Sequence, residues 1–347
     1  MTKSVVEELR LPGLEEALGR VESALAEATA AEDPFLSEVA AHLASAGGKR
    51  LRPALLIASA QACAGATSDD GAAAPPEVTH EAVMGGVAVE LVHLGSLYHD
   101  DVMDEAANRR GVQSVNARWG NLVAILAGDF LLARASEIAA SLGTEVAALL
   151  ARTISRLCEG EVGQLRYAFD VSRPLESYRA SISGKTASLM ATSARIGALV
   201  AGAPRPWVDA LTDYGQSLGM AFQIWDDVRD VVCSDEVLGK PAGHDMVEGT
   251  YTLPVLLALG VEGAGDDLRS LLGAPIDAPA REKARDLVLA SGAVPVAVAE
   301  ARRWASAADA ALDPVRAAAG SDASWRLERL GMLGGVGHWL LDQLDLP

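Results

Sequence analysis

The chain has 347 residues, with 47 Asp and Glu against 29 Lys and Arg, for a formal net charge of −18. That balance argues against general binding to nucleic acid or to an anionic membrane surface, while leaving local sites open. Half of the residues are hydrophobic but only 4% are aromatic. With alanine abundant and no period-2 run between hairpin turns, the composition predicts an all-α fold.

No linker or low-complexity stretch divides the sequence. It reads as one domain, residues 1–347, with an N-terminal helical extension over 1–34 and scaffold helices over 275–347. The opening MTKSVVEELRLPG lacks the apolar core of a signal peptide, and no segment offers the roughly 20 uncharged apolar residues of a membrane span. Cys63, Cys158 and Cys233 are scattered, with no CxxC pair, which fits a reducing compartment. The expectation is a cytoplasmic protein without stable membrane insertion.

In chain order, breaks fall at Pro53, from Gly65 to Pro76, from Gly202 to Pro206, from Leu238 to Gly243 and from Gly273 to Ala280. About ten or more helices fit between them, packed as a large bundle around an apolar cavity. The first chemical signal is HLASAGGKRLRP, residues 42–53, which sets Lys49, Arg50 and Arg52 after a glycine pair. Such a segment can offer N–H groups and cations to a polyphosphate, although alone it reads more readily as a solvated basic turn.

LVHLGSLYHDDVMDEAANRRG, residues 91–111, follows. On a helix, Asp100 and Asp104 share one face about 6 Å apart and repel each other unless a cation lies between them. A single DDxxD also reads as a wet helix end, but GMAFQIWDDVRDVV, residues 219–232, repeats the spacing at Asp226 and Asp230, with Asp227 beside them. Apolar runs lead straight into both clusters, as two acidic rims at the mouth of one apolar channel would require. Further cations stand at Arg109 and Arg110, at Lys185 in SGKTASL and at Lys240 in LGKPAGHD. Carboxylates that bridge Mg²⁺ to phosphate, facing lysines and arginines, describe a diphosphate site. Above an apolar channel, the plausible step is ionisation of an allylic diphosphate.

GGKRLRP, ELVHLGSLYHDDVMDEAANRRG, GEVGQ, GKTASL, FQIWDDVRD, LGKPAGHD and TLP stand in that order, and in it the chain resembles the trans-isoprenyl diphosphate synthases (polyprenyl synthetases) from about residue 35 onward. The resemblance implies three Mg²⁺ ions held by Asp100, Asp104 and Asp226, with Asp101, Asp227 and Asp230 as supporting carboxylates. It implies Lys185, Lys240 and Arg109 on the allylic diphosphate, and Lys49, Arg52, His93 and Arg110 on isopentenyl diphosphate. Thr186 and Gln223 would stand near the developing cation, and Gln164 would line the same cavity. Each has a duller reading: His93 as a satisfied core histidine, Thr186 bonded back along its helix, Gln223 filling a polar gap, Phe222 and Trp225 as core aromatics.

The implied chemistry is ionisation, condensation and elimination, with no side-chain nucleophile. Family members that stop early carry bulky aromatics four or five residues ahead of the first aspartate, where this chain has Ser96 and Gly95. With Ala88, Gly86 and Gly85 further down, the channel is expected to admit products longer than C20, with Tyr98 and Leu94 able to close it. The alternatives are a geranylgeranyl diphosphate synthase, a class I terpene cyclase or a regulatory subunit of a heteromeric synthase. One departure is EGTYTLP, with Thr250 and Tyr251 where many relatives carry a lysine. Arg229 in the second motif is also unusual, and a nearby carboxylate can pair with it. A homodimer is expected from the family.

Overall fold

The computed structural model describes residues 9, 11–64, 77–238, 241–318 and 324–344; Lys240 lies outside the described residues. Helices α1 (Leu14–Ala28), α2 (Pro34–Ser45) and α3 (Leu51–Cys63) lead to the long α4 (His80–Met103). Asp33 caps α2 by accepting from the N–H groups of Phe35 and Leu36, with Pro34 at the first helical position, and Thr79 caps α4 through Ala82 N–H. After α4 come α5 (Val115–Trp119), α6 (Asn121–Ser141), α7 (Thr144–Leu165) and α8 (Leu175–Ile182). A π-helical turn, Ser183–Ala187, joins α8 to α9 (Ser188–Val200), and α10 (Arg205–Val232) follows.

Short α11 (Asp235–Leu238), α12 (His244–Val247) and α13 (Leu253–Leu259) precede α14 (Ala264–Leu271), α15 (Ala278–Ala290), α16 (Ala293–Ala311), α17 (Asp313–Ala318) and α18 (Ser324–Asp342). Helix α4 is surrounded by α1, α3, α6 and α9, while α10 packs against α9, α16 and the π turn. Among the described residues, no helix is long and apolar enough to cross a membrane.

Few aromatics are available to fill wide gaps, so the helices approach closely through glycine. A Cβ on Gly95 of α4 would lie 3.0 Å from the carbonyl oxygen of Gly128 on α6, and one on Gly215 of α10 would lie 2.8 Å from Ala191 Cα on α9. Close packing of this kind leaves no room for an added methyl group.

One feature escaped the all-α expectation. Asn108–Arg109 (β1) pairs antiparallel with Val112–Gln113 (β2). The two-residue turn places Arg110 at φ 54° and Gly111 at φ 78°, a left-handed pair suited to a tight hairpin. A ladder this short has no readable period, and Arg-Gly is not a usual turn signal. The far end of α3 is closed by α18: Arg326 donates to the carbonyls of Ala62 (3.1 Å) and Ala64 (2.8 Å), and Arg329 to that of Gln61 (3.2 Å). These cations occupy carbonyls that the helix cannot satisfy internally.

Candidate active site

Both acidic motifs end their helices. Asp100 and Asp101 lie in the last turn of α4, and Asp104 is its C-cap, with its N–H on the Asp100 carbonyl at 2.8 Å. Asp226, Asp227 and Asp230 occupy the last turns of α10. Helix C-termini already carry partial negative charge, so each carboxylate there is opposed by its own helix. Burial pushes Asp100 up to about 6, with Glu161 and Asp104 adding to the rise against Lys185 and Arg109. Burial pushes Asp227 up to about 8, Asp245 adding to it, while hydrogen bonds from Tyr178 and Gln223 pull the other way.

Two bridges join the rims. Helix α12 and the residue after it bring Asp245 into the field of Asp227 and Glu248 into that of Asp104. On the other side, Lys185 Nζ lies 2.5 Å from Glu161 Oε2 on α7 and within the field of Asp100 and Asp104. Its neighbour Thr186 donates through Oγ1 to Gln223 Oε1 on α10 at 2.6 Å.

The π turn that carries Lys185 and Thr186 is clamped between two helices by three glycines. A Cβ on Gly160 of α7 would meet Lys185 N at 2.5 Å, one on Gly184 would meet Arg156 O at 2.7 Å, and one on Gly219 of α10 would meet Ala187 Cα at 2.5 Å. Insertions of this kind re-aim side chains within otherwise regular helices, often at functional sites. Here the inserted turn carries the lysine and threonine that face the acidic rims.

The six aspartates divide into two sets. Asp101 is fully buried, its Oδ1 accepting from Arg109 Nε at 2.7 Å and its carbonyl from Asn116 Nδ2 at 2.9 Å. Asp227 accepts Tyr178 Oη–H at 2.5 Å and Gln223 Nε2–H at 2.8 Å. Asp230 is buried, its Oδ2 accepting from Asp245 N–H at 3.3 Å and its carbonyl from Gly243 N–H at 2.7 Å. Asp100, Asp104 and Asp226 are instead half-buried or exposed. Arg229 stands 3.7 Å from Asp226, over the face of Trp225.

Among the described residues, no three His, Cys, Asp or Glu side chains converge to hold an ion unaided. Mg²⁺ suits such a donor set, since it usually takes one or two carboxylates, several waters and substrate phosphates rather than an all-protein cage.

A second, cationic pocket adjoins the acidic one. Lys49 Nζ lies 6.0 Å from the Trp225 ring. Gly47 and Gly48, at φ 85° and 155°, let Arg110 donate to the carbonyls of Leu43 (3.1 Å) and Gly47. A Cβ on Gly48 would lie 2.9 Å from the Arg110 guanidinium carbon. Arg50 turns inward to Glu22, Glu90 and the Ala44 carbonyl and acts as a strut. Arg52, Arg109 and Arg110 surround His93, whose ring is held neutral, well below its usual range, by burial and then by these cations. The buried Nε of Arg52 has no hydrogen-bond partner among the described residues. A buried donor without a partner is costly unless a ligand supplies the acceptor.

Residues 33–287 match the sequence profile of the polyprenyl synthetase family. The chain belongs to that family. It is 43% identical over 250 residues to heptaprenyl diphosphate synthase component 2 of Geobacillus stearothermophilus, spanning 72% of this chain and 74% of that protein. It is 40% identical over 261 residues to nonaprenyl diphosphate synthase of Mycobacterium tuberculosis, spanning 75% of each. The crystal structure of polyprenyl synthase from Caulobacter crescentus CB15, complexed with calcium and isoprenyl diphosphate, superposes with a TM-score of 0.84 at 33% identity, over 97% of this chain and 98% of that one. The protein is therefore a prenyltransferase with the all-α fold of this family.

Within this polyprenyl synthetase, several residues expected to border the channel pack against neighbouring helices. Gly95 is buried at the α4–α6 crossing, against Gly128 and Leu132, so its missing side chain accommodates the neighbouring helix. Gly85 faces Ile196 and Leu56, and Gly86 faces Val21 and Pro53, at 3.1–3.4 Å from an added Cβ. Tyr98 points away to α2, donating to the Val39 carbonyl at 2.7 Å. Ser96 stays half-buried, with its hydroxyl on the His93 carbonyl at 2.8 Å. Gln164 is half-buried one turn beyond Glu161.

Thr250 and Tyr251 bring no cation. Tyr251 is a buried strut, its hydroxyl accepting Gly273 N–H at 2.7 Å and its carbonyl accepting from Arg173 at 3.3 Å. Sequence reasoning passed over Glu161, which lies inside the quoted GEVGQ, and over Asp245 and Glu248, which flank MV in HDMVE. Tyr178 and Arg173 gave no local signal at all.

Proposed function

We propose that this prenyltransferase condenses isopentenyl diphosphate with farnesyl or geranylgeranyl diphosphate to give an all-trans polyprenyl diphosphate longer than C20. The observation that carries the reading is the juxtaposition of two opposite fields: an acidic double rim with Lys185 between its carboxylates, and a cationic pocket in which the buried Nε of Arg52 has no partner among the described residues. One diphosphate suits each. The names of the relatives, heptaprenyl and nonaprenyl synthases, support the longer product.

Asp100, Asp104 and Asp226 are the carboxylates that would hold Mg²⁺, three ions by family resemblance, which when bound neutralises the departing diphosphate. Lys185 and Arg109 hold the allylic diphosphate on the same side, with Lys240 assigned there by resemblance. Lys49, Arg52, Arg110 and neutral His93 hold the isopentenyl diphosphate, so that its double bond meets the allylic carbon. Thr186 and Gln223 face the developing cation, and the proton leaves with the released diphosphate. Gln164 lines the same cavity.

A second copy of the chain suits α6, where Leu122, Ile125 and Leu126 leave an apolar stripe at helical spacing, Leu122 being 79% exposed. The name of the Geobacillus relative makes it one component of an assembly, but retention of all six aspartates favours a catalytic subunit. A cytoplasmic setting fits soluble diphosphate substrates.

The test is consumption of labelled isopentenyl diphosphate by the purified chain alone, with farnesyl and geranylgeranyl diphosphate as starters, and mass spectrometry of the products. Products beyond C20 support the reading. A single C20 product would refute the chain-length assignment; cyclised hydrocarbon, or no consumption without a partner, would refute the reaction assigned to the isolated chain.

A further inference from the structure

Four side chains from three elements form one directed chain of hydrogen bonds beneath the site. Tyr178 on α8 donates to Asp227 Oδ2 at 2.5 Å, Gln223 donates through Nε2 to Asp227 Oδ1 at 2.8 Å, and Thr186 donates to Gln223 Oε1 at 2.6 Å. Every donor points toward the carboxylate.

This direction is dictated by the chemistry of the groups. The hydrogen bonds from Tyr178 and Gln223 favour the ionised form of Asp227 against its burial, and an ionised carboxylate can only accept, so it turns the amide nitrogen of Gln223 toward itself and the amide oxygen toward Thr186. A threonine hydroxyl has one proton. Once that proton is committed to Gln223, the oxygen has only lone pairs left for the cavity. Reversing the amide would set its carbonyl against the carboxylate and force Thr186 to aim its proton outward.

The base of the chain is rigid. Tyr178 is 1% exposed, and the Arg173 guanidinium lies 5.8 Å from its ring centre. Arg173 is itself fixed by Ser181 Oγ at 2.9 Å and by the Tyr251 carbonyl at 3.3 Å. The segment that lacks the common lysine thus supports this network from behind.

We propose that Tyr178 and Asp227 are positioning residues that fix the polarity of Thr186, so that its hydroxyl presents only an acceptor to the allylic cation. This rests on the prenyltransferase reading above and adds a role for two buried residues assigned to neither diphosphate. Asp227 acts by orienting Gln223, although it belongs to the second aspartate motif.

The experiment is a double-mutant cycle on the full-length chain with Mg²⁺, farnesyl diphosphate and isopentenyl diphosphate. Partners that orient a primary contact group are commonly worth about 10- to 100-fold. Tyr178→Phe should lower kcat by about tenfold, leaving both KM values within about twofold, and should cost less than about twofold in a Thr186→Val background. Thr186→Ser should restore the dependence on Tyr178. Asp227→Asn, which does not rely on the tyrosine variant folding, should lower kcat at an unchanged Mg²⁺ half-saturation. Equal losses from Tyr178→Phe in both backgrounds, or a raised Mg²⁺ requirement in Asp227→Asn, would overturn the proposal. Absence of turnover by the wild-type chain would instead overturn the activity itself.

Discussion

Gly160 and Gly184 meet backbone to backbone: a Cβ added to Gly184 would come within 2.9 Å of the Gly160 Cα. Neither atom belongs to a flexible side chain that could swing aside. The position of Lys185 and Thr186 therefore depends on two residues that have no side chains.

Gly160→Ala should accordingly displace the π turn. Overpacking of this kind costs about 1–3 kcal/mol, and the loss of alignment at Thr186 should lower kcat by at least about tenfold. Urea unfolding and initial rates on the same preparation measure both. A variant as active as wild type would mean that the turn does not need its present place.

Arg110→Ala removes a guanidinium wedged between the Gly47 loop and His93. KM for isopentenyl diphosphate should rise by at least about tenfold, with KM for the allylic substrate little changed. If both rise equally, the two pockets do not serve separate diphosphates.

Because no three described carboxylates or imidazoles converge on one point, Mg²⁺ alone should shift the melting temperature little. Mg²⁺ with inorganic diphosphate should shift it clearly, since a ligand at a hundred times its Kd stabilises by about 2.7 kcal/mol. Chelation with EDTA should abolish turnover and added Mg²⁺ restore it. A large shift from Mg²⁺ alone would refute the shared-ligand arrangement.

Gly95→Ala should destabilise the α4–α6 crossing by about 1–3 kcal/mol and leave product length as it is. Ser96→Phe, one turn from Asp100 on a half-buried surface, should shorten the product. Mass spectrometry of the prenyl products separates the two positions that sequence reasoning treated alike.

Burial pushes the Cys63 thiol up to about 12 despite the nearby Arg326, so at pH 8 it stays protonated and unreactive. Exposed Cys158 should react first with a maleimide in the native protein, with Cys63 reacting only on unfolding. Peptide mapping after brief labelling checks the order.

The acidic motifs, the GGKRLRP segment and GKTASL could be read from sequence because each encodes its chemistry within a few residues. Tyr178 could not, because its partner Asp227 lies 49 positions away and a lone tyrosine on a short helix has no spacing to betray it. Gly95 was ambiguous for another reason. A small residue means open space or a close neighbour equally well, and only the course of α6, with Gly128 opposite, decides between them. The Arg110–Gly111 hairpin escaped because its ladder is shorter than any period.

The contacts of Arg326 and Arg329 with the carbonyls of Gln61, Ala62 and Ala64 span more than 260 positions of sequence. Helix α3, which begins beside the cationic pocket, is thus completed by a segment that follows every sequence motif named above. A chain truncated after α17 would hold every one of those motifs and still lack the clasp that steadies one wall of the site. The packing of α18 therefore completes that wall, and the site leans on a helix that carries none of its motifs.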